Sequence, residues 1–564
     1  MTPPFTLTGG AEQKESPMSK TPWWQSAVAY QIYPRSFCDS NGDGVGDIPG
    51  IISKLDHLAD LGVGFIWLSP VYQSPMADNG YDISDYDAIA PVFGSMDDMD
   101  RLIAEAGRRG IGIVMDLVVN HTSDEHAWFQ AARSSLVDPK RDWYIWRDPD
   151  TDGGPPDDLH SNFGGPAWTL DHTTGQYYLH LFDPKQPDLN WENPEVRGQI
   201  WAMMNRWFDR GIAGFRMDVI DLIGKDIDAE ITANGPHLHD YIQEMHRETL
   251  AGRDVVTVGE AWSAGPDDAL LYTGRDRGEL SMVFQFSHVL EGWDPTFGKW
   301  RVRPRDLAGL KRVFNTWQLA LGEDGWNSLF WSNHDLPRAV SKYGDDSPEW
   351  RLRSAKALAT VLHLMKGTPY IYQGEEIGMT NAAFDRIEAF NDVEIRTNFP
   401  IQTDRGLSEA EFLAGANTNG RDNARTPMQW SAAPGAGFTS GTPWLPLNPA
   451  FAEINVVADR ADPEGVFEHY KSLIAIRKAN EIVTEGRFIP LAEDDPSVWA
   501  YAREMHGQRL TMVANLTSAP VTFQVPAEGE VTGACLTTTT IRRDSLRGRL
   551  DLAPWEAVAV LGVA

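Results

Sequence analysis

The residues best able to do chemistry stand at the ends of short apolar runs. Asp116, Asn120 and His121 close one run, Arg216 and Asp218 a second, Glu260 a third, and Asn333, His334 and Asp335 a fourth. One such acid alone would be read as a cap or as half of an ion pair. Asp218, Glu260 and Asp335 end three different runs, in the company of two histidines and an arginine, and point to one site worked by carboxyl groups. Carboxyls can act as nucleophile, proton donor or proton acceptor. Arg216 lies two residues before Asp218, so on a strand the two point to the same side. Its fixed charge is expected to keep Asp218 ionised and oriented.

The runs themselves say what must position these groups. Eight recur: Val28 to Phe37, Gly64 to Pro70, Gly112 to His121, Gly214 to Ile220, Val255 to Trp262, Met282 to Phe286, Ser328 to Asp335 and Pro369 to Glu375. Amphipathic stretches separate them, such as Ile52, Leu55, Leu58 and Leu61 at three-residue steps, and Val196 to Trp207 after Asn193 and Pro194. Buried strands alternating with helices make a parallel sheet. Eight such units predict an α/β architecture, a (β/α)8 TIM barrel, whose chemistry sits at the C-terminal strand ends. About 90 residues separate the third run from the fourth, far more than a βα connection needs. We read 122–191, rich in Asp, Gly, Pro, His and aromatics, as an inserted small domain, which leaves 21–121 and 192–488 to the barrel. From 489 to 564 the pattern alternates, in Ser497 to Tyr501, Leu510 to Leu516, Val521 to Val525 and Ala557 to Val563, and predicts a C-terminal antiparallel β-domain. Residues 1–20 are polar and bear Pro and Gly, and are expected to be a disordered extension.

Bulk composition narrows the function. The chain has 564 residues, and a barrel alone takes roughly 250. Its 49 basic and 80 acidic residues leave a net charge of −31, which argues against nucleic acid or an anionic membrane as partner. No apolar run reaches the about 18 residues of a transmembrane helix, and the first 20 residues lack the apolar stretch of a secretion signal. Cys38 and Cys535 are expected to be free thiols in a reducing compartment, hence a cytoplasmic protein, monomer or homodimer. The 21 tryptophans suit a carbohydrate enzyme, since sugars stack on aromatic faces, although any large protein carries many aromatics.

One loop has metal-ligand spacing. Asp39, Asn41, Asp43, Val45 and Asp47 fall at positions one, three, five, seven and nine of a Ca²⁺ loop, Val45 through its carbonyl. Gly50 stands where an EF-hand has its bidentate Glu. The alternative is an Asp/Asn/Gly turn without metal. The expected metal is structural Ca²⁺, with Mg²⁺ also able to take such a site.

The blocks Asp116 to His121, Gly214 to Asp218, Gly259 to Trp262 and Asn333 to Asp335 resemble glycoside hydrolase family 13, the α-amylase family. Gln186 to Trp191 and Gly367 to Glu376 extend the resemblance, which runs from about Trp23 to the C-terminus. Asp78-Asn-Gly-Tyr81, Glu279 to Phe286 and Gly420 to Trp430 are similar to the oligo-1,6-glucosidases and dextran glucosidases of that family, which carry a structural Ca²⁺ in the loop above. Ser287 is a departure on the aglycone side, where that subgroup has Glu. The resemblance implies Asp218 as nucleophile, Glu260 as general acid/base with a raised pKa, and Asp335 as the third acid, binding hydroxyls beside the cleaved bond. It implies sugar contacts from His121, Phe163, Arg216 and His334, stacking by Tyr81, and a non-reducing-end clamp of Asp78 with Arg421, for which a plain salt bridge is the alternative. The function implied is a retaining, exo-acting α-glucosidase on short oligosaccharides. Val219 implies a preference for α-1,6 links, because an added CH₂ lets the leaving sugar swing past a branched side chain. The alternatives are an α-1,4-glucosidase, or a sucrose- or trehalose-active transglucosidase or isomerase on the same machinery. A binding protein with a dead barrel is disfavoured by the intact acid pair.

Overall fold

The computed structural model of the protein describes residues 21–563. The extension expected at 1–20 lies outside the described residues. The eight predicted runs form eight strands: β1 (Ala29–Ile32), β2 (Phe65–Leu68), β3 (Gly112–Leu117), β4 (Gly214–Met217), β5 (Val256–Glu260), β6 (Met282–Phe284), β7 (Ser328–Leu329) and β8 (Thr368–Tyr372). Every neighbouring pair is parallel and follows chain order, β8 pairs with β1, and a parallel bridge between Val283 and Asn327 joins β6 to β7 and closes the barrel.

Period-two alternation sorts the strand residues. Ala29, Phe65, Trp67, Val114, Val258 and Phe284 belong to the core inside the barrel. Their neighbours Tyr30, Ile32, Ile66, Leu68 and Ile113 pack outward against the helices. The helix Pro194–Asp209 shows why these sequences fold as they do. Asn193 caps it by accepting from the Glu195 N–H, Pro194 opens it, and Val196, Ile200, Met203, Met204 and Trp207 form its buried face. Gly214 is required where β4 starts beside β5, because a Cβ there would stand 1.8 Å from the Val256 carbonyl oxygen.

Of four further sheets among the described residues, two have more than two strands. Trp146–Arg147, Trp168–Asp171 and Gln176–Leu179 form a small antiparallel sheet within the excursion after β3. After the barrel, a six-stranded sheet runs through Arg487–Leu491, Val498–Met505, Gln508–Asn515, Ala557–Val563, Val531–Thr538 and Ser545–Leu546, antiparallel throughout. Among the described residues no helix is long and apolar enough to cross a membrane.

Candidate active site

Inward-facing polar residues meet at the C-terminal rim of the barrel, around one guanidinium. Arg216 Nη1 donates to Asp116 Oδ1 at 2.8 Å and to Asp218 Oδ1 at 2.7 Å, and Nη2 donates to Glu260 Oε2. Three strands thus deliver three carboxyls to one cation, with Asp116 and Arg216 in direct register across β3 and β4. All four residues are buried. Asp116 is fixed from its other side by Trp67 Nε1 at 3.0 Å and the Tyr81 hydroxyl at 3.1 Å.

This arrangement alters the expectation for Asp218. Burial pushes its carboxyl well above the ordinary range, opposed by Arg216 and reinforced by Glu260 and Asp116. Arg216 orients Asp218 as expected, but its charge is divided among three acids and does not by itself hold Asp218 ionised. The buried group carries three carboxyls against one guanidinium, so its protons belong to the cluster. Glu260 is held by three donors. Oε2 accepts from Arg216 and from the Val219 N–H at 3.2 Å, and Oε1 accepts from Trp262 Nε1 at 2.9 Å. Val219 supplies its N–H from a left-handed conformation, φ 36°, unusual for a β-branched residue. Its side chain packs with Trp168, Leu179 and Leu222, between the small sheet and the barrel rim.

Asp335 is the most open of the acids. Burial would raise its carboxyl, but His334, Arg421 and Arg425 together hold it well below the usual range. Arg425 Nη2 reaches it at 2.6 Å and His334 Nε2 at 3.0 Å. Gln31 Nε2 lies 2.8 Å from His334 Nδ1, while Nε2 of the same ring faces Asp335. The His334 ring stacks on Tyr81, 5.1 Å between centroids and 5° from parallel. His121 is buried behind Tyr81. Burial lowers it to about 4, and its nitrogens face Asn120 Nδ2 and the Tyr81 carbonyl.

Asp78 and Arg421 do meet, but more loosely than a simple clamp. Arg421 Nη2 is 3.7 Å from Asp78 Oδ1, whereas Asp392 takes Nε at 3.0 Å and Nη2 at 2.5 Å. Asp78 Oδ1 is buried and has no hydrogen-bond partner. Phe163 completes this wall, its ring 5.1 Å from the Arg421 guanidinium carbon. Of the expected residues, Asp78, Tyr81, His121, Phe163, Arg216, Asp218, Val219, Glu260, His334, Asp335 and Arg421 therefore lie on one rim, linked by the contacts just described. Asp392, Arg425, Gln31 and the Trp262 indole were not singled out. Trp262 and Arg425 lie inside matched blocks and could have been, while Asp392 follows no pattern that marks it. On the aglycone side Ser287 opens the short helix Ser287–Leu290, its N–H bonded to Gln285 Oε1 at 2.8 Å.

The candidate metal loop is ordered by its own side chains. Asp39 accepts from the N–H groups of Asn41, Gly42 and Gly44, Asn41 from Asp43, and Asp43 from Val45. Asp47 accepts from Ser40 and caps the helix Ile48–Ser53. Gly44, at φ 92°, has no room for a Cβ, which would meet the Thr442 carbonyl oxygen at 1.8 Å. Among the described residues no three His, Cys, Asp or Glu side chains converge as a metal cluster, so a cation here would depend on the Asn41 amide oxygen and the Val45 carbonyl as well.

Over 548 residues the chain is 55% identical to a palatinase of Erwinia rhapontici, spanning 96% of this chain and 99% of that protein. It is 53% identical to an oligo-1,6-glucosidase of Halalkalibacterium halodurans, over 90% of this chain and 93% of that one. The crystal structure of a trehalose-6-phosphate hydrolase of Bacillus licheniformis superposes with a TM-score of 0.91 at 44% identity, covering 96% of this chain and all of that one. Residues 31–486 match the α-amylase catalytic domain, and the chain belongs to that family of glycoside hydrolases, glycoside hydrolase family 13.

Proposed function

We propose that the protein is a retaining, exo-acting α-glucosidase that releases glucose from the non-reducing end of short α-glucosides and prefers α-1,6 links. The observation that carries the exo reading is the buried Asp78 oxygen that lacks a hydrogen-bond partner and lies 3.7 Å from Arg421, on the rim that holds Asp218 and Glu260. A buried carboxylate oxygen without a donor is costly unless a ligand supplies one, and sugar hydroxyls are donors. In this reading Asp218 attacks the anomeric carbon while Glu260 protonates the departing oxygen, and water, deprotonated by Glu260, releases glucose. Asp335, held ionised by its cations, takes the hydroxyls beside the bond.

Val219 supports the linkage preference, because its branched side chain is buried directly after the nucleophile Asp218, where an α-1,4-linked leaving ring would be crowded. The test is a panel of isomaltose, isomaltulose, panose, maltose, sucrose and trehalose. We expect kcat/KM on isomaltose and panose to exceed that on maltose by a factor of tens, and Val219→Ala or Val219→Thr to raise relative maltose activity several-fold. A wild-type preference for maltose refutes the linkage. On sucrose, free glucose and fructose mark a hydrolase, and an isomer marks the alternative transglucosidase reading.

The same reading gives the loop Asp39–Asp47 a structural Ca²⁺, or Mg²⁺, that would have to draw Asp39, Asn41, Asp43, the Val45 carbonyl and Asp47 together, since the three acids do not converge without it. Its oxygen donors and its fold around Gly42 and Gly44 support this. Two buried, unpaired cysteines, Cys38 and Cys535, support a cytoplasmic location.

A further inference from the structure

Glu260 is held only by donors. Arg216 and the Val219 N–H both serve Oε2, and both are fixed, one by burial among carboxyls and one by the main chain. Oε1 has a single donor, the Trp262 indole, on a half-buried side chain. That indole lies flat on Phe286, 3.7 Å between centroids and 9° from parallel, and is tilted against Trp293. Phe286 is itself buried against Phe330, so one face of the indole rests on a fixed platform.

A carboxyl that accepts three hydrogen bonds and donates none is arranged as a carboxylate. Donation to a glycosidic oxygen needs a proton on one oxygen. Both lone-pair sites of Oε2 are taken by fixed donors, whereas Oε1 keeps one free site, and the single indole N–H on the other only disfavours a proton there. A shift of one indole removes that opposition.

We propose that Trp262 is a positioning residue that switches Glu260 between its acid and base forms according to whether the leaving sugar is present. An aglycone entering over the indole draws the Nε1–H away from Oε1. Oε1, relieved of that donor, takes up a proton from solvent and passes it to the glycosidic oxygen as the C1–O bond breaks and the Asp218–C1 bond forms. When the aglycone has left, the indole N–H returns to Oε1 and holds Glu260 as the carboxylate. Water then attacks C1, gives its proton to Oε1, and the Asp218–C1 bond breaks. One indole hydrogen bond thus opposes the acid form in the empty site and favours the base form in the glucosyl-enzyme. The inference rests on Glu260 as acid/base, as proposed above.

The experiment compares the pH profiles of wild type, Trp262→Phe and Trp262→Gln on isomaltose and on p-nitrophenyl α-glucoside. Phe keeps the stack on Phe286 and removes the donor, while Gln restores an N–H of similar reach without the ring. The charged groups around Glu260 are Arg216 on β4, Asp218 directly after it, Asp116 on β3 and Asp221 in the turn that follows, and all three proteins retain them. In Trp262→Phe the basic limb of kcat/KM should move up by about one pH unit, the worth of one hydrogen bond to a charged group. The acidic limb of kcat on the nitrophenyl substrate, where the second step is slow, should move up likewise. Trp262→Gln should return both limbs to the wild-type position. Unmoved limbs in Trp262→Phe, or equal shifts in Phe and Gln, would overturn the switch and leave Trp262 a packing residue. Glu260→Gln is measured alongside. If it keeps full isomaltose activity, the functional reading itself fails, whatever Trp262 does.

Discussion

Asp218 and Glu260 share one arginine, so each acid can be removed without leaving the guanidinium unpaired. Asp218→Asn keeps an acceptor oxygen for Arg216 Nη1 and lowers the crowding of carboxyls, and should therefore fold with an unchanged melting temperature. It has no nucleophile, and kcat should fall by roughly 10³-fold or more. Glu260→Gln should lower kcat on isomaltose by about 10²–10⁴-fold but slow glucosyl-enzyme formation from p-nitrophenyl α-glucoside much less, because nitrophenolate needs no proton to leave. Single-turnover measurement on both substrates checks this, and an Asp218→Asn variant keeping about a few per cent of kcat would refute the assignment. These acids were legible because polar residues ending apolar runs are conspicuous. The sharing of Arg216 was not, since it depends on which side chains of three strands fall in one layer. Nor was the left-handed backbone of Val219, which no local sequence favours and which tertiary contacts must impose.

At the level of elements, the loop Asp39–Asp47 connects β1 to the helix Ile48–Ser53, and Asp39 is tied to the distant Thr439 hydroxyl. A cation bound by the folded loop alone stabilises the fold by mass action. Chelator should lower the melting temperature, leave kcat per folded molecule nearly unchanged, and be reversed by added Ca²⁺. Asp43→Ala should reproduce the loss. A melting curve indifferent to chelator, to Ca²⁺ and to that substitution would sink the metal. The barrel strands could be read because each is a continuous apolar run between polar loops. The small sheet after β3 could not be read strand by strand, since its members are two to four residues long and sit among Asp, Gly and Pro. In the terminal sheet, Arg487–Leu491 carries a proline, tolerated because the strand lies at the edge, and Val531–Thr538 is rich in Thr and small residues. Asp392 was invisible for a related reason. It caps the helix Val393–Asp404, in an excursion after β8 that follows no barrel period, and only folding brings it to Arg421.

Across the whole molecule, two sets of buried groups oppose one another as pH falls. Burial holds His121 and His126 at about 4, and His288, His363 and His469 at about 3, all below the ordinary 6.5. Below pH 6.5 the unfolded chain takes up protons that these five sites refuse, so each lowers stability by up to about 1.4 kcal/mol per pH unit. Burial also raises Glu375 to about 7 and Asp82, Asp221 and Asp422 to about 6. These four bind protons in the folded protein while the unfolded chain is still ionised, so their contribution has the opposite sign. Burial also lowers His180 and His246 and raises Asp78, Asp116, Asp218 and Asp459, so seven histidines stand against eight carboxyls, and the melting temperature should vary little between about pH 6 and 4.5. Below the ordinary carboxyl range the balance ends. Asp335 and Asp392 are held low in the folded protein by arginines, and Asp335 by His334 too, and the stability they supply is lost as pH falls through their depressed values. Tilting the balance by one group tests it. His288 sits among Phe314, Phe330 and Tyr343 with Nε2 unpartnered, so His288→Phe fits the site and removes one refusing group. Relative to wild type it should gain about 1.4 kcal/mol between pH 7.5 and 5.5. Glu375→Gln should do the reverse, with its advantage greatest above pH 7, where the wild type must ionise a buried carboxyl. Urea unfolding of the three proteins across this range measures both slopes, and parallel curves would show that neither group is buried in the protonation state assigned to it.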